Sequence, residues 1–156
     1  MLSRGKPRAQ SQPAARLDDH VGLVQNILRE IGVDPDQARL ATTEGLGWAF
    51  RRGSAIVEIY LVQRDGAGSL KVLSPIMHLP SSGLLPLYRR LLEMNLTLSN
   101  AAFGVYSDVV FVFSERPLDG LDPQEVDHII EQVARFADEY DDRLVSEFGG
   151  RLYVRV

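Results

Sequence analysis

Residues 109–113, Val109-Val110-Phe111-Val112-Phe113, are apolar at every position. Successive side chains of a strand point to opposite faces. A strand of this kind therefore needs cover on both faces of its sheet, or cover on one face and a partner on the other. It reads as the second arm of a hairpin, with "AAFGVY" as the first arm and Ser107-Asp108 as a tight turn. Just upstream, residues 84–98 have helical spacing, with Leu84, Leu87, Tyr88, Leu91, Asn95 and Leu98 on one face. Leu85, Leu92, Met94 and Leu96 spread apolar surface beyond that stripe, as on a helix covered on more than one side. Helix and hairpin together supply a candidate dimer or partner surface: Tyr88, Leu92, Met94, Leu96, Val109, Phe111 and Phe113.

The rest of the chain frames this stretch. Asp18 or Asp19 can cap a first helix with Val21, Val24, Ile27, Leu28 and Ile31 on its apolar face, and Gly32 is placed to end it. The period then falls to two. Leu46, Trp48 and Phe50 alternate, "AIVEIYLV" is a strand rich in β-branched residues, and "LKVLSPIMHL" is a third strand in which Pro75 marks an edge or a bulge. Turns this short make the three strands an antiparallel meander. Ser82 or Gly83 lies at the cap of the leucine-rich helix. After the hairpin, Asp122, Pro123 and Glu125 form a capping-box variant that opens a last helix. Its buried face runs from Val126 to Tyr140 and can continue to Phe148, and Gly149-Gly150 ends it. Such a helix is on the order of 40 Å long, enough to cross a sheet. "RLYVRV" can add a short strand or fray. The expected architecture is α+β, a mostly antiparallel five-stranded sheet with helices packed on it, in the order α-β-β-β-α-β-β-α.

Charge divides the chain. Residues 1–16 hold Arg4, Lys6, Arg8 and Arg16 and no acid, so they carry +4 and the remainder −8, since the whole chain is −4. The first segment reads as a basic, disordered leader, and residues 17–156 as one domain. An acidic body repels nucleic acid, which leaves only the four leader cations for weak contact. With no cysteine, thiolate metal sites, disulfides and cysteine nucleophiles are excluded. No apolar run reaches the ~20 residues of a membrane span, and the start lacks the apolar core of a secretory signal. The expectation is a soluble cytoplasmic protein.

Chemistry finds no foothold. His20, His78 and His128 share no metal-binding spacing with one another. Asp138, Glu139, Asp141 and Asp142 are splayed around a helix rather than gathered by a turn, and read as a solvated face. "GLG" and "GAG" lead into strands, not into a helix N-terminus that would hold phosphate. No cofactor, metal or catalytic residue is expected.

The run "LLEMNLTLSNAAFGVYSDVVFVFSERPLDGLDPQEVDHIIEQVARFADEYDDRL" resembles the YbjN family of bacterial proteins. The likeness lies in a leucine-rich helix ending in "LLxxN", a small-residue strand and hairpin, a "PLDGLD" loop and a long C-terminal helix. It spans roughly residues 44–148. The resemblance implies a fold similar to type III secretion chaperones. Those proteins are small, acidic, usually homodimeric, and bind partner proteins without catalysis. Proteins of the YbjN family are described as sensory-transduction regulators.

The function expected is thus a non-catalytic protein-binding module, chaperone-like or a regulatory adaptor, which binds an unidentified partner protein as a homodimer. Two alternatives stand beside it. One is a small-ligand sensor with an apolar pocket between sheet and helices, lined by Trp48, Phe50, Tyr60 and Phe103. The other is a nucleic-acid accessory protein acting through the leader. Because residues 1–16 have no apolar periodicity with which to dock, their removal should leave the thermal midpoint nearly unchanged. A drop of several degrees in a calorimetric scan of the shortened chain would show that they pack.

Overall fold

The computed structural model describes residues 17–154. In chain order they form α1 (Leu17–Glu30), β1 (Arg39–Leu40), β2 (Leu46–Arg52), β3 (Ala55–Arg64), β4 (Ala67–His78), α2 (Leu84–Asn95), β5 (Ala102–Tyr106), β6 (Val109–Pro117), α3 (Pro123–Phe148) and β7 (Arg151–Leu152). The strands make one antiparallel sheet in the order β1-β2-β3-β4-β6-β5, with β7 paired to one end of β4. The class and element order are those expected, but the sheet has seven strands rather than five. The two additions are two residues each: β7 lies in the terminal "RLYVRV", where a short strand is one of the two expectations, and β1 is too short to show any alternation in sequence. The expectations for the leader fall on residues 1–16, outside those described. Among the described residues no helix is long and apolar enough to cross a membrane.

Two-residue links close the three hairpins, at Gly53-Ser54, Asp65-Gly66 and Ser107-Asp108. Asp65, Ser107 and Asp108 take positive φ, the conformation that matches a tight turn to the twist of its strands. The helix α2 then carries the chain across the sheet, so that β6, not β5, lies beside β4.

Register sorts the side chains into two faces. Trp48, Ile59, Val72 and Ser114 stand in one row, Leu46, Leu61, Leu70 and Arg116 in another. Val57, Ile59, Leu61, Leu70, Val72, Val110 and Val112 are all buried. Against this face lies α3, which touches β3, β4 and β6, while α1 rests on α3 and β3. Val126, Ile129, Ile130, Val133, Phe136, Ala137 and Leu144 form the buried stripe of α3, as the spacing predicts. The inward face of α2, Leu87, Leu91 and Met94, closes the core beside Phe103. Phe103 meets the Tyr140 ring edge-on at 5.6 Å.

Ends and breaks have local causes. The Asp122 side chain accepts from the Glu125 N–H at 2.9 Å, as an N-cap should. The reciprocal half of the capping box does not form, because the Glu125 carboxylate pairs instead with Arg116 at 2.6 Å. Pro75 lies in a central strand, not an edge one, and the register shifts just after it. Pairing with β3 stops at Leu73, and the missing N–H of Pro75 falls on the side that β3 has left. There β7 takes over, with Leu152 opposite Met77, and Tyr153 stacks on His78 at 5.4 Å. This return requires glycine at 150. A Cβ there would overlap the His78 carbonyl oxygen, and φ is +88°.

One tie joins the sheet to the outside of α3. Asp138 accepts hydrogen bonds from both the N–H and the hydroxyl of Ser54, in the β2–β3 turn, and Asp141 accepts a further one from that hydroxyl at 3.3 Å. Two of the four acids expected to be merely solvated therefore anchor a turn. The Ser54 hydrogen bonds hold the Asp138 carboxyl below the ordinary Asp value, while burial pushes Asp141 up. A lowered carboxylate stabilises the fold above its unfolded pKa and loses that contribution as the pH falls through its folded one. The stability difference between the wild type and Asp138→Ala should therefore be steady near neutrality and close below the ordinary Asp range. Urea melts at a series of pH values check this; a difference that widens on acidification would contradict it.

Candidate functional site

All three helices touch the same side of the sheet, so no helix covers its other face, which is bare except at the β7 end, where Ile56 and Val109 are buried. On that face β6 presents Phe111, Phe113 and Glu115, β4 presents Lys71 and Leu73, and β3 presents Glu58 and Tyr60. On β5 the same face carries Ala102, Gly104 and Tyr106. Between them runs a groove of about 650 Å³, floored by Leu73, Gly104, Phe111 and Phe113. Phe113 is 39% exposed and Tyr106 76%. Gly104 deepens the groove, since a side chain there would press on the Phe113 ring. The polar rim is internally matched. Lys71 pairs with its cross-strand neighbour Glu115 at 3.3 Å, Ser69 donates to Glu115 at 3.0 Å, and the Tyr60 hydroxyl donates to Glu58 at 2.8 Å.

A second groove, about 390 Å³, lies round the corner between α2 and the outer edge of β5, walled by Tyr88, Leu91, Leu92, Phe103 and Val105. Asn95, the last residue of α2, stands in it. Its side-chain NH2 donates to the Phe103 carbonyl at 3.1 Å, and its side-chain oxygen accepts from the Phe103 N–H at 2.6 Å. On the outside of α2, Leu85, Leu92 and the capping Leu96 just past its end are 79, 68 and 87% exposed. A third hollow, about 300 Å³, opens where β5 stops short of β6, next to Arg116, Glu125 and His128. Its Arg116 guanidinium is taken up by Glu125 and by the Pro117 and Asp119 carbonyls.

Of the residues expected to form a partner surface, Leu92 and Leu96 are exposed on α2, Tyr88 is half-buried in the edge groove, and Phe111 and Phe113 lie on the bare face. Met94 and Val109 do not belong with them; each is only 7% exposed. Met94 sits one turn beyond Leu91 on the inward stripe of α2, and Val109 is boxed between its cross-strand partners Tyr106 and His78. Nor do the four aromatics of the ligand-sensor alternative share a pocket. Trp48 and Phe103 are core residues and Phe50 stands on their side of the sheet, whereas Tyr60 is on the other. Among the described residues no three His, Asp or Glu side chains are gathered as a metal site would need. Asn95 is the residue that sequence reasoning passed over. Its signal was an amide standing in an otherwise apolar helical stripe.

A family model described as T3SS (YopN, CesT) and YbjN peptide-binding chaperone 1, TY-Chap1, matches residues 18–156. The chain belongs to this family. Solved structures similar to this TY-Chap1 chain agree in fold. A chain of the ExsC–ExsE complex is 14% identical with a TM-score of 0.61, over 82% of this chain and 95% of its own. A chain of the complex between the Yersinia pestis type III secretion chaperone SycH and a fragment of YscM2 is 15% identical with a TM-score of 0.52, over 76% and 96%. YbjN from E. coli is 14% identical with a TM-score of 0.51, over 86% and 96%. At such identities the likeness is one of fold. No curated protein matches the sequence. For the TY-Chap1 chain in hand, the YbjN resemblance read from the hairpin and the long last helix is correct.

An apolar face left uncovered contributes little to folding. Phe113→Ser on the bare face of this TY-Chap1 domain should cost within about 1 kcal/mol. Leu70→Ala, on the covered face of the neighbouring strand, should cost roughly 2–5 kcal/mol. Urea denaturation compares the two; equal costs would mean that the bare face is a structural one.

Proposed function

We propose that this chain is a non-catalytic peptide-binding chaperone that holds an extended segment of a partner protein against the bare face of its sheet and the adjoining edge of β5. The observation that carries this reading is the groove of about 650 Å³ floored by Leu73, Phe111 and Phe113. Its width of several strands and its matched polar rim suit a chain with alternating apolar side chains better than a compact metabolite. A partner's backbone can pair at the edge while its side chains fill the grooves on either side. The family's description as peptide-binding supports the reading. So does the fold shared with SycH, a chaperone whose structure holds a fragment of another protein. A regulatory adaptor would have this same geometry, with a regulatory protein as its client.

The outer stripe of α2 has a separate role in this reading. Leu85, Leu92 and Leu96 follow one another along the helix, facing away from the chain's own core. We assign this stripe to a second copy of the chain. A two-fold contact of α2 against α2 buries both stripes and leaves the sheet groove of each copy for a client. Leu85 and Leu96, with the outer side of Leu92, then serve the dimer edge, and Tyr88, Phe111 and Phe113 the client.

Two substitutions separate the roles. Phe113→Asp should lower retention on a random-peptide array at least about tenfold, since a charge would replace buried apolar contact, and leave the dimer intact. Leu92→Asp should convert the dimer seen by light scattering to monomer. A wild type that runs at the mass of a single chain at micromolar concentration contradicts the dimer. Undiminished peptide retention by Phe113→Asp contradicts the groove.

A further inference from the structure

The outer edge of β5 is where a sheet of this kind could accept another strand. The hairpin turn at Ser107-Asp108 pairs Tyr106 with Val109, Gly104 with Phe111 and Ala102 with Phe113. In a two-residue hairpin these are the hydrogen-bonded pairs. The N–H and C=O groups of Phe103 and Val105 therefore point outward, away from β6. Such groups template the addition of a chain unless something blunts them.

Something does, at one of the two positions. The side-chain amide of Asn95 lies across Phe103 and makes both hydrogen bonds that a neighbouring strand would make, accepting from the N–H at 2.6 Å and donating to the C=O at 3.1 Å. A carboxamide is chemically a peptide group, one carbonyl and one N–H donor side by side. Asn95 thus reproduces one residue's worth of a paired strand. It does so from the last position of α2, above the groove walled by Tyr88, Leu91 and Leu92. Nothing in the packing of α2 calls for a polar side chain there, since Leu87, Leu91 and Met94 carry its contact with the core.

We propose that Asn95 is a placeholder for the client strand: its amide occupies the Phe103 backbone in the free protein and is exchanged for a peptide group of the client on binding. This rests on the peptide-binding reading above and adds to it a residue, a register and a substrate class. The exchange conserves hydrogen bonds, two given up and two made, so the edge is guarded against self-pairing yet opens readily to a strand that also reaches Val105. The bound segment is extended, with one outward-facing backbone pair at Phe103 and the next at Val105. Its side chains alternate between the groove under α2 and the opening above Gly104 and Phe111, so a segment with small apolar residues at alternate positions fits best.

The probe is the acetylated and amidated peptide KTVTVTVK, added to the full-length protein and followed by heteronuclear NMR. In the free protein the side-chain NH2 of Asn95 should exchange slowly with solvent. At saturation it should become solvent-exchanging, while the Phe103 amide stays protected and the Val105 amide gains protection. Asn95→Ala, which removes the competitor, should bind the peptide about tenfold more tightly, the value of a pair of ordinary hydrogen bonds. Asn95→Asp, which keeps the acceptor for the Phe103 N–H but turns a carboxylate on its C=O, should fall between; it also serves if the alanine variant folds poorly. Binding with an unmoved Asn95 resonance, or with affinity unchanged or weaker in both variants, overturns the placeholder and leaves the groove reading standing. If neither the wild type nor the variants bind the peptide, while the peptide array still shows Phe113-dependent retention, the β5 edge is excluded and the proposal fails with it.

Discussion

The packing of α3 across β3, β4 and β6 is the contact on which the rest of this structure depends. It buries the centre of one face of the sheet, where Val57, Ile59, Leu61, Val72 and Val112 meet a helix whose own buried stripe includes Val126, Ile130, Val133 and Ala137. A single long helix, aided by α1, supplies enough apolar area to cover one side of a sheet this wide and has none left for the other. Domains of two layers follow from that arithmetic of faces. What is unusual is the uncovered side. In an ordinary two-layer domain it would alternate to polar residues, and along β3 it nearly does, with Glu58 and Tyr60. Along β6 it does not: Phe111 and Phe113 keep apolar rings where solvation alone would select threonine or lysine.

The same division of labour appears in the helices. In α3 the outward residues are acids and arginines, joined by ion pairs such as Arg143 with Glu139 at 3.3 Å, as befits a solvated face. In α2 the outward residues are Leu85, Leu92 and Leu96. Apolar surface is thus withheld from solvent around α3 and presented by the outside of α2 and the uncovered face of β6. An exposed apolar bed and outward-facing backbone groups occur together in this region. Here both lie within one hairpin and the helix before it.

Much of this was legible in the sequence, for identifiable reasons. The helices α1, α2 and α3 announce themselves by periodicity and by caps such as Asp122 and Pro123, and the meander by its short turns. The continuous apolar run 109–113 marked β6 as a strand with apolar side chains on both faces. The misses are also physical. A two-residue strand such as β1 has no period to read, and exists because β2 had a free edge. Whether Met94 faces inward or outward on a helix apolar all round is decided by where the sheet lies, which spacing alone does not say. Val109 looks like its neighbours in sequence but is enclosed by partners brought from β4 and β5. Asn95 bonds a strand that begins seven residues later, so its purpose becomes visible only when β5 is in place.

Hydrogen-exchange mass spectrometry with a peptide selected from the random array asks whether the bare face and free edge around β5 and β6 form the binding surface. Added protection should then be confined to segments covering β4, β5, β6 and the end of α2, with α1 and the acidic outer face of α3 unchanged. Protection that falls instead on α1 and α3, with the β5–β6 hairpin exchanging as fast as before, would contradict it.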